Sequence, residues 1–587
     1  MLRPGLVLTL AAALTLQLSA PPASAAPMRF GYSGIHALPA KAWEPLDEES
    51  RLQFLAERLI RAAQLGATVV RLGATEPRLL DYAKIHASQF RNWLFADRVV
   101  GLLNAAPLEV CLTLPELFDT PEIGGFQSYI KALMERYDGD GDFGVEPIAL
   151  NAEFPDLNGS GEITADEFQA KPGDARVTAW GATHQITLIE PGHEPLGAEQ
   201  TNKLTKGAYA AQVKAARTAA TDAGRGQGIM LGGTAVESQS KSAFTERLES
   251  LKTGGPWFDA ANAHIFASTD DLTGVSAAAN VTKLSNWLAS VAHGDADRWV
   301  GELALGSVAK AGTACTDARC SLRTQAAGLA RHMLLAAADG VSTVLYTEPI
   351  ELIGPLATAG PRTGTGLLTV SVESGANPFG IEDHPLPLVP RPAYAVWRRL
   401  GAVLASDGAE VTPLTGMPEN VRGFRVGSKG YVLWYDWTLQ AQPGEAWSGQ
   451  RAPVELGGLT SPSVKVVSLW PESVPGQLEA DGSVDATWTE TLVAVDGGSA
   501  ALFLEEDPVW IEASDTVIDK PVADDPAGDV SGGDTAEAPD NGSGAGGGCA
   551  GGGAGSSDGW LALLLGLLAL CGSRARGAMP RANRIRY

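Results

Sequence analysis

The chain has 587 residues, a formal net charge of −24 and five cysteines. That length accommodates a large domain with a smaller companion. No basic cluster precedes the last few residues, which argues against nucleic-acid binding, since that requires neutralising phosphates, and no cysteine spacing matches a zinc site.

Arg3, an apolar run over 6–18 and the small triplet Ala23-Ser24-Ala25 read as a signal peptide spanning 1–25, so the chain is expected to be exported. From 28 to 352, short apolar runs alternate with helical patterns. Strands are predicted at 30–35, 67–72, 108–113, 186–190, 229–232, 261–265, 299–302 and 342–346. Helices are predicted at 49–64, 95–105, 126–137, 205–223, 242–251, 277–292 and 322–338, the first from the spacing of Leu52, Leu55, Leu59, Ala62 and Ala63. Eight such units predict an α/β fold, a closed (β/α)8 TIM barrel over 28–405. A doubly wound open sheet is the rival, ranked second because no Gly-rich phosphate loop follows the first strand. Cys111 falls inside an apolar run and reads as a buried thiol.

An EF-hand-like insertion over 138–180 interrupts the rhythm. Its segment DLNGSGEITADE (156–167) fits a twelve-residue calcium loop. Asp156, Asn158 and Ser160 offer oxygens, Gly161 makes the turn, Glu162 offers its carbonyl and Glu167 closes the site. A structural Ca2+ is therefore expected, with no cofactor for catalysis. Asp138, Asp140 and Asp142 form a similar run whose twelfth position is Ala149, so a solvated turn competes there with a second ion. The insertion lies between a helix and a strand, and in a barrel such connections sit at the N-terminal face, away from catalysis.

A helix is predicted at 392–404. Short β-rich segments at 423–426, 431–437, 464–469, 490–495, 500–504 and 509–512 then predict a small antiparallel β-sandwich over 410–513. Residues 514–559 are rich in Gly, Asp, Ala and Ser and read as a disordered linker. Residues 560–587 contain an apolar run from Trp560 to Cys571 and then five arginines from Arg574 to Arg586. With the Gly-rich stretch around Cys549, this resembles the MYXO-CTERM sorting tail, which implies anchoring at the cell surface or outer envelope. Cys315 and Cys320 are close enough to form a disulfide bridging one loop, which export permits.

Two acids stand at the ends of predicted strands. Glu194 follows the fourth in IEPGHEP (189–195), and Glu302 closes the seventh in RWVGE (298–302). Glycoside hydrolysis with retention needs two carboxyl groups across one bond, one to protonate the leaving oxygen and one to attack.

The motifs ERYDGDG (135–141), IEPGHEP, HIF (264–266) and LEEDPVWIE (504–512) together resemble clan A glycoside hydrolases, close to the β-xylosidase and cellulase-like group. The resemblance runs from about residue 30 to the end of the sandwich. It implies Glu194 as acid/base, Glu302 as nucleophile, Arg71 as the cation beside that nucleophile, and His264 in the cleft. This sequence departs from the pattern twice. His193 replaces an Asn that contacts the sugar, and Phe266 replaces a Tyr that donates to the nucleophile. Tyr346 and Glu348 are further candidates for substrate contact. Trp257 and Trp299 read as core. The expected function is an exported retaining glycosidase acting on a β-linked glycan. The alternative is a catalytically impaired carbohydrate-binding or adhesive surface protein, with calcium-dependent adhesion as a third reading.

Overall fold

A computed structural model of the protein describes residues 27–518, apart from 35–46, 73–92, 115–122, 142–156, 158–163, 168–172, 194–206, 223–227, 235–240, 268–274, 307–321, 348, 354–364, 372–387, 437–450 and 480. The predicted signal peptide and sorting tail therefore lie outside the described residues, as do residues 519–559 of the predicted linker and Glu194, Glu348, Cys315, Cys320, Asp156, Asn158, Ser160 and Glu162; the first linker residue, Ser514, instead ends the last strand of the domain.

Eight parallel strands close into a barrel: β1 Arg29–Ser33, β2 Val69–Leu72, β3 Glu109–Leu114, β4 Leu188–Pro191, β5 Gly228–Thr234, β6 Ala260–Ala267, β7 Asp297–Leu305 and β8 Thr343–Thr347. Strand β1 pairs with both β2 and β8, which closes the ring. The intervening helices are α1 Glu48–Gln64, α2 Leu94–Ala105, α3 Ile123–Arg136, α4 Ala175–Ala182, α5 Ala208–Asp222, α6 Lys241–Leu248, α7 Val275–Ser290 and α8 Leu322–Ala338. Helix α1 starts where the Asp47 carboxylate accepts the Ser50 N–H at 2.8 Å, and it buries Leu52, Leu55, Leu59 and Ala62.

The barrel has two cores. The outer one lies between strands and helices. The inner one is a separate cluster of Val69, Cys111, Leu188, Met230, Ala260, Trp299 and Leu345. Period-two alternation explains both, because successive residues of a strand face opposite sides of the sheet. Arg29 lies against the inner layer, its guanidinium 4.8 Å from the Trp299 ring and 2.5 Å from Glu109. Burial pushes the Cys111 thiol well above its ordinary value.

One further step toward the strands' C-terminal ends, the inward positions turn polar: Ser33, Arg71, Thr113, Glu190, Asn262 and Thr347, all buried. Strand β7 reaches this layer differently. Trp299 faces in and Val300 faces out, so strict alternation would send Glu302 outward. A bulge intervenes: Ala263 pairs with Val300, but His264 pairs with Glu302. The bulge absorbs Gly301 and turns Glu302 into the barrel.

The insertion leaves and rejoins at the N-terminal end of β4, where Ile186 N–H donates to the Tyr137 carbonyl at 2.9 Å and Asp138 bridges to Gln185. Just ahead of it, the motif ERYDGDG is built into the core. Arg136 grips Asp97 with two bonds of 2.7 Å, and the Tyr137 hydroxyl donates to the same carboxylate at 2.9 Å.

After the barrel, β9 Ile350–Ile353, β10 Leu368–Ser371 and β11 Val389–Pro390 form a small sheet, followed by α9 Pro392–Leu404. A six-stranded antiparallel sheet then assembles from β12 Val411–Pro413, β13 Val421–Val426, β14 Gly430–Tyr435, β16 Ser463–Ser473, β17 Thr487–Ala494 and β19 Val509–Ser514. It faces a two-stranded sheet of β15 Ala452–Gly457 and β18 Ser499–Leu504. The larger sheet is apolar on both faces. Leu433 and Ile511 pack toward the smaller sheet, whereas Val432, Trp434 and Trp510 join the barrel's outer core.

Candidate active site

Arg71 organises the polar layer. Its Nε donates to Glu190 Oε2 at 2.6 Å, its Nη1 to Glu302 Oε1 at 2.8 Å and to Ser33 Oγ at 3.1 Å, and its Nη2 lies 2.9 Å from His193 Nδ1. The guanidinium is 1% exposed. Burial opposes its charge, but Glu190 and Glu302 outweigh burial and move its pKa up.

Glu190 accepts four hydrogen bonds: from Arg71, from Thr113 Oγ1 at 2.5 Å, from Gly233 N–H at 3.0 Å and from Asn262 Nδ2 at 2.9 Å. Four donors fix the position of this carboxylate, and through it the position of Arg71. Glu190 was missed as a site residue by sequence reasoning. Its signal was an acid at inward parity, two residues after Leu188 in an apolar strand.

Glu302 is 2% exposed. Besides Arg71 it faces two imidazoles: His193 Nε2 lies 3.5 Å from Oε1 and His264 Nδ1 lies 3.9 Å from Oε2. The His193 and His264 rings are 5.3 Å apart. Burial, with help from Arg71 and against the pull of Glu302, pushes His193 down to about 4, so its ring is neutral near pH 7. Phe266 continues the inward parity of β6 beyond His264, edge-on to it at 6.4 Å, and is 36% exposed. These residues mark the mouth of the barrel.

The structure therefore brings together four of the predicted residues, Arg71, His193, His264 and Glu302, and sets Phe266 beside them. The ring of His193, expected to contact sugar, faces Arg71, Glu302 and His264. Tyr346 sits elsewhere. It is fully buried between β8 and α9, its ring 5.8 Å from Trp397 and its hydroxyl donating to the Thr365 carbonyl at 2.5 Å, so it offers no surface to a ligand. Trp299 is core, as expected, and Trp257 is partly buried, with its indole N–H on the Thr253 carbonyl.

Within the calcium-loop segment, Glu167 is buried and closes a capping box. Its Oε2 accepts from Thr164 N–H at 2.7 Å and Thr164 Oγ1 at 2.8 Å, while Glu167 N–H returns to Thr164 Oγ1 at 3.4 Å.

No protein-family model matches the sequence, and no curated protein matches it. Solved structures do. A family 51 α-L-arabinofuranosidase from Bifidobacterium longum superposes with a TM-score of 0.50 at 11% identity, covering 85% of this chain and 98% of that one. The fold is one that glycoside hydrolases adopt. An α-L-arabinofuranosidase from Thermotoga maritima (TM-score 0.48, 10% identity, 83% and 96% covered) and a family 39 glycoside hydrolase from Bacteroides cellulosilyticus WH2 (0.45, 14%, 83% and 81%) are also similar. At these identities the likeness is one of fold.

Proposed function

We propose that the chain is an exported retaining glycoside hydrolase that cleaves a β-linked glycan by double displacement. The observation that carries this reading is the setting of Glu302: a nearly buried carboxylate, turned inward by a bulge, 2.8 Å from an arginine and facing two imidazoles at the barrel mouth. An anion so placed can attack an anomeric carbon, and Arg71 offsets the cost of its burial. Glu194 is assigned as acid/base. It follows His193 directly in the chain, and His193 touches Glu302. In the first half-reaction Glu194 protonates the departing glycosidic oxygen as Glu302 bonds to the sugar. In the second it deprotonates the water that releases the sugar from Glu302.

The N-terminal 25 residues support export, and the tail 560–587 supports retention at the envelope. We assign a structural Ca2+ to the loop 156–167, held by Asp156, Asn158, Ser160, Glu162 and Glu167. The capping box at Glu167 fits that assignment because it orders the helical turn that ends such a loop.

Phe266 favours a second reading, a carbohydrate-binding protein without turnover, because it presents carbon to the mouth. Screening xylan, β-glucan, mannan and aryl β-glycosides, with Glu302→Gln as control, separates the two. Hydrolysis that the substitution abolishes supports the enzyme. Glycan binding without hydrolysis supports the binder.

A further inference from the structure

His193, His264 and Glu302 bring three possible ligand atoms within 4.8 Å of one another, a geometry that invites a metal ion. The far side of each ring decides otherwise. Arg71 Nη2 is always a donor, so His193 Nδ1, 2.9 Å away, must accept, and the ring proton sits on Nε2, facing Glu302. For His264 the argument runs through Asn262. The bulged Gly301 N–H lies 2.8 Å from Asn262 Oδ1, which fixes that atom as the amide oxygen. The amide nitrogen then donates to Glu190 Oε1 at 2.9 Å and to His264 Nε2 at 3.2 Å. His264 Nε2 therefore accepts, and its proton sits on Nδ1, again facing Glu302. A metal ion would need both of those nitrogens bare, with protons on the sides already occupied by donors.

We propose that His193 and His264 form a neutral pair held in opposite tautomers, Nε2–H and Nδ1–H, by Arg71 and Asn262, so that both N–H dipoles point at the Glu302 carboxylate. This deepens the assignment of Glu302 as nucleophile, on which its catalytic consequence rests; the tautomers themselves do not depend on any reaction. Asn262 is a positioning residue with two tasks. It clamps the bulge that turns Glu302 inward, and it sets the proton on His264. Among the described residues, the charged groups facing the pair are Arg71 on β2, Glu190 on β4 and Glu302 on β7. The two rings stand at different distances from Glu302, His193 Nε2 at 3.5 Å and His264 Nδ1 at 3.9 Å, and at both distances the N–H acts on the carboxylate as a dipole.

The test is 15N spectroscopy of the histidine-labelled full chain at pH 7, where eight histidines give a sparse spectrum. His193→Gln and His264→Asn assign the two signals. The proposal expects a neutral Nε2–H ring at 193, a neutral Nδ1–H ring at 264, and in Asn262→Ala a mixture of tautomers at 264 with 193 unchanged. A reversed tautomer or an imidazolium at either position overturns it. So does saturable binding of Zn2+ that both histidine substitutions abolish. Where a substrate has been found, an isostere rule adds a second readout, since a Gln amide stands near Nε2 and an Asn amide near Nδ1. Gln at 193 and Asn at 264 should each retain at least ~10-fold more activity than the opposite choice, about the effect of one hydrogen-bond donor. The reverse order contradicts the tautomers. Absence of any hydrolysis removes the glycosidase reading and leaves the spectroscopic result standing.

Discussion

At the residue scale the site is an exercise in satisfying buried charge. One guanidinium serves two carboxylates; Glu190 has three further donors, and Glu302 faces two imidazoles. Replacing Arg71 by Met would leave two anions facing each other in the barrel. Loss of one partner from a buried ion pair costs about 3–5 kcal/mol, so Arg71→Met should unfold at markedly lower denaturant concentration, as urea titration would show. An unchanged midpoint would mean that the network carries little stability. His193 gives a second prediction. Its folded value of about 4 lies below its ordinary 6.5, so the unfolded chain binds more protons between these limits. Its contribution is present above pH 6.5 and is lost as pH falls toward 4. Each tenfold difference in proton affinity between the folded and unfolded chain is worth about 1.4 kcal/mol, so the loss is on the order of 3–4 kcal/mol. His193→Gln should therefore flatten the decline in stability between pH 6.5 and 4 relative to the parent chain. Parallel pH profiles would reveal a mistaken assignment.

At the scale of elements, strand β7 sets the position of Glu302. Gly301 sits in the bulge, and a Cβ there would lie 2.2–2.5 Å from the Asn262 amide. Gly233 is under similar constraint, since its Cβ would fall 2.1 Å from His264 Nε2. Gly301→Ala should destabilise by about 1–3 kcal/mol, the usual cost of overpacking, and lower turnover more than substrate affinity, because it moves Glu302. Steady-state kinetics with thermal melts would check both. Much of this region was legible in the sequence. The eight strands and seven helices were placed because apolar periodicity is strong where a strand is buried on both faces. The helix α4 was missed, as were β12 and β15, because each is short and β15 alternates with exposed polar residues. The structure brings together Arg71, Glu302, His193 and His264, which were singled out through motifs. Glu190 and Asn262 were not, because their importance lies in hydrogen bonds between strands far apart in the chain. Nor could the bulge be read, since nothing in RWVGE announces that alternation breaks at Gly301. Tyr346, expected at the cleft, follows the inward Leu345 by one residue and so faces out of the barrel onto Trp397.

At the scale of the molecule, barrel and sandwich share a core. Helix α8 supplies the seam. Arg331 is fully buried and donates to the Glu506 carbonyl at 2.6 Å, 5.7 Å from the Trp434 ring, while Arg323 forks onto Asp507 at 2.9 and 3.0 Å. A chain ending at residue 405 would strip α8 and α9 of this cover and should be insoluble or molten; a cooperative melt of that fragment would refute the shared core. Trp434→Ala in the full chain should cost about 3–5 kcal/mol. The proposed calcium belongs to this scale as well, since its expected role is to stabilise the insertion rather than to take part in catalysis. Chelation should lower the melting temperature without changing turnover at a temperature where the protein stays folded; equal melting curves with and without chelator would count against the ion.

The central claim is that Glu302 bonds covalently to the sugar. It is tested most directly by incubating the protein with 2-deoxy-2-fluoro β-glycosides carrying good leaving groups and sequencing the digested peptides by mass spectrometry. The account predicts a single fluoroglycosyl adduct on Glu302, absent from Glu302→Gln. Turnover of the parent glycoside with an adduct on another residue, or with none, would contradict it.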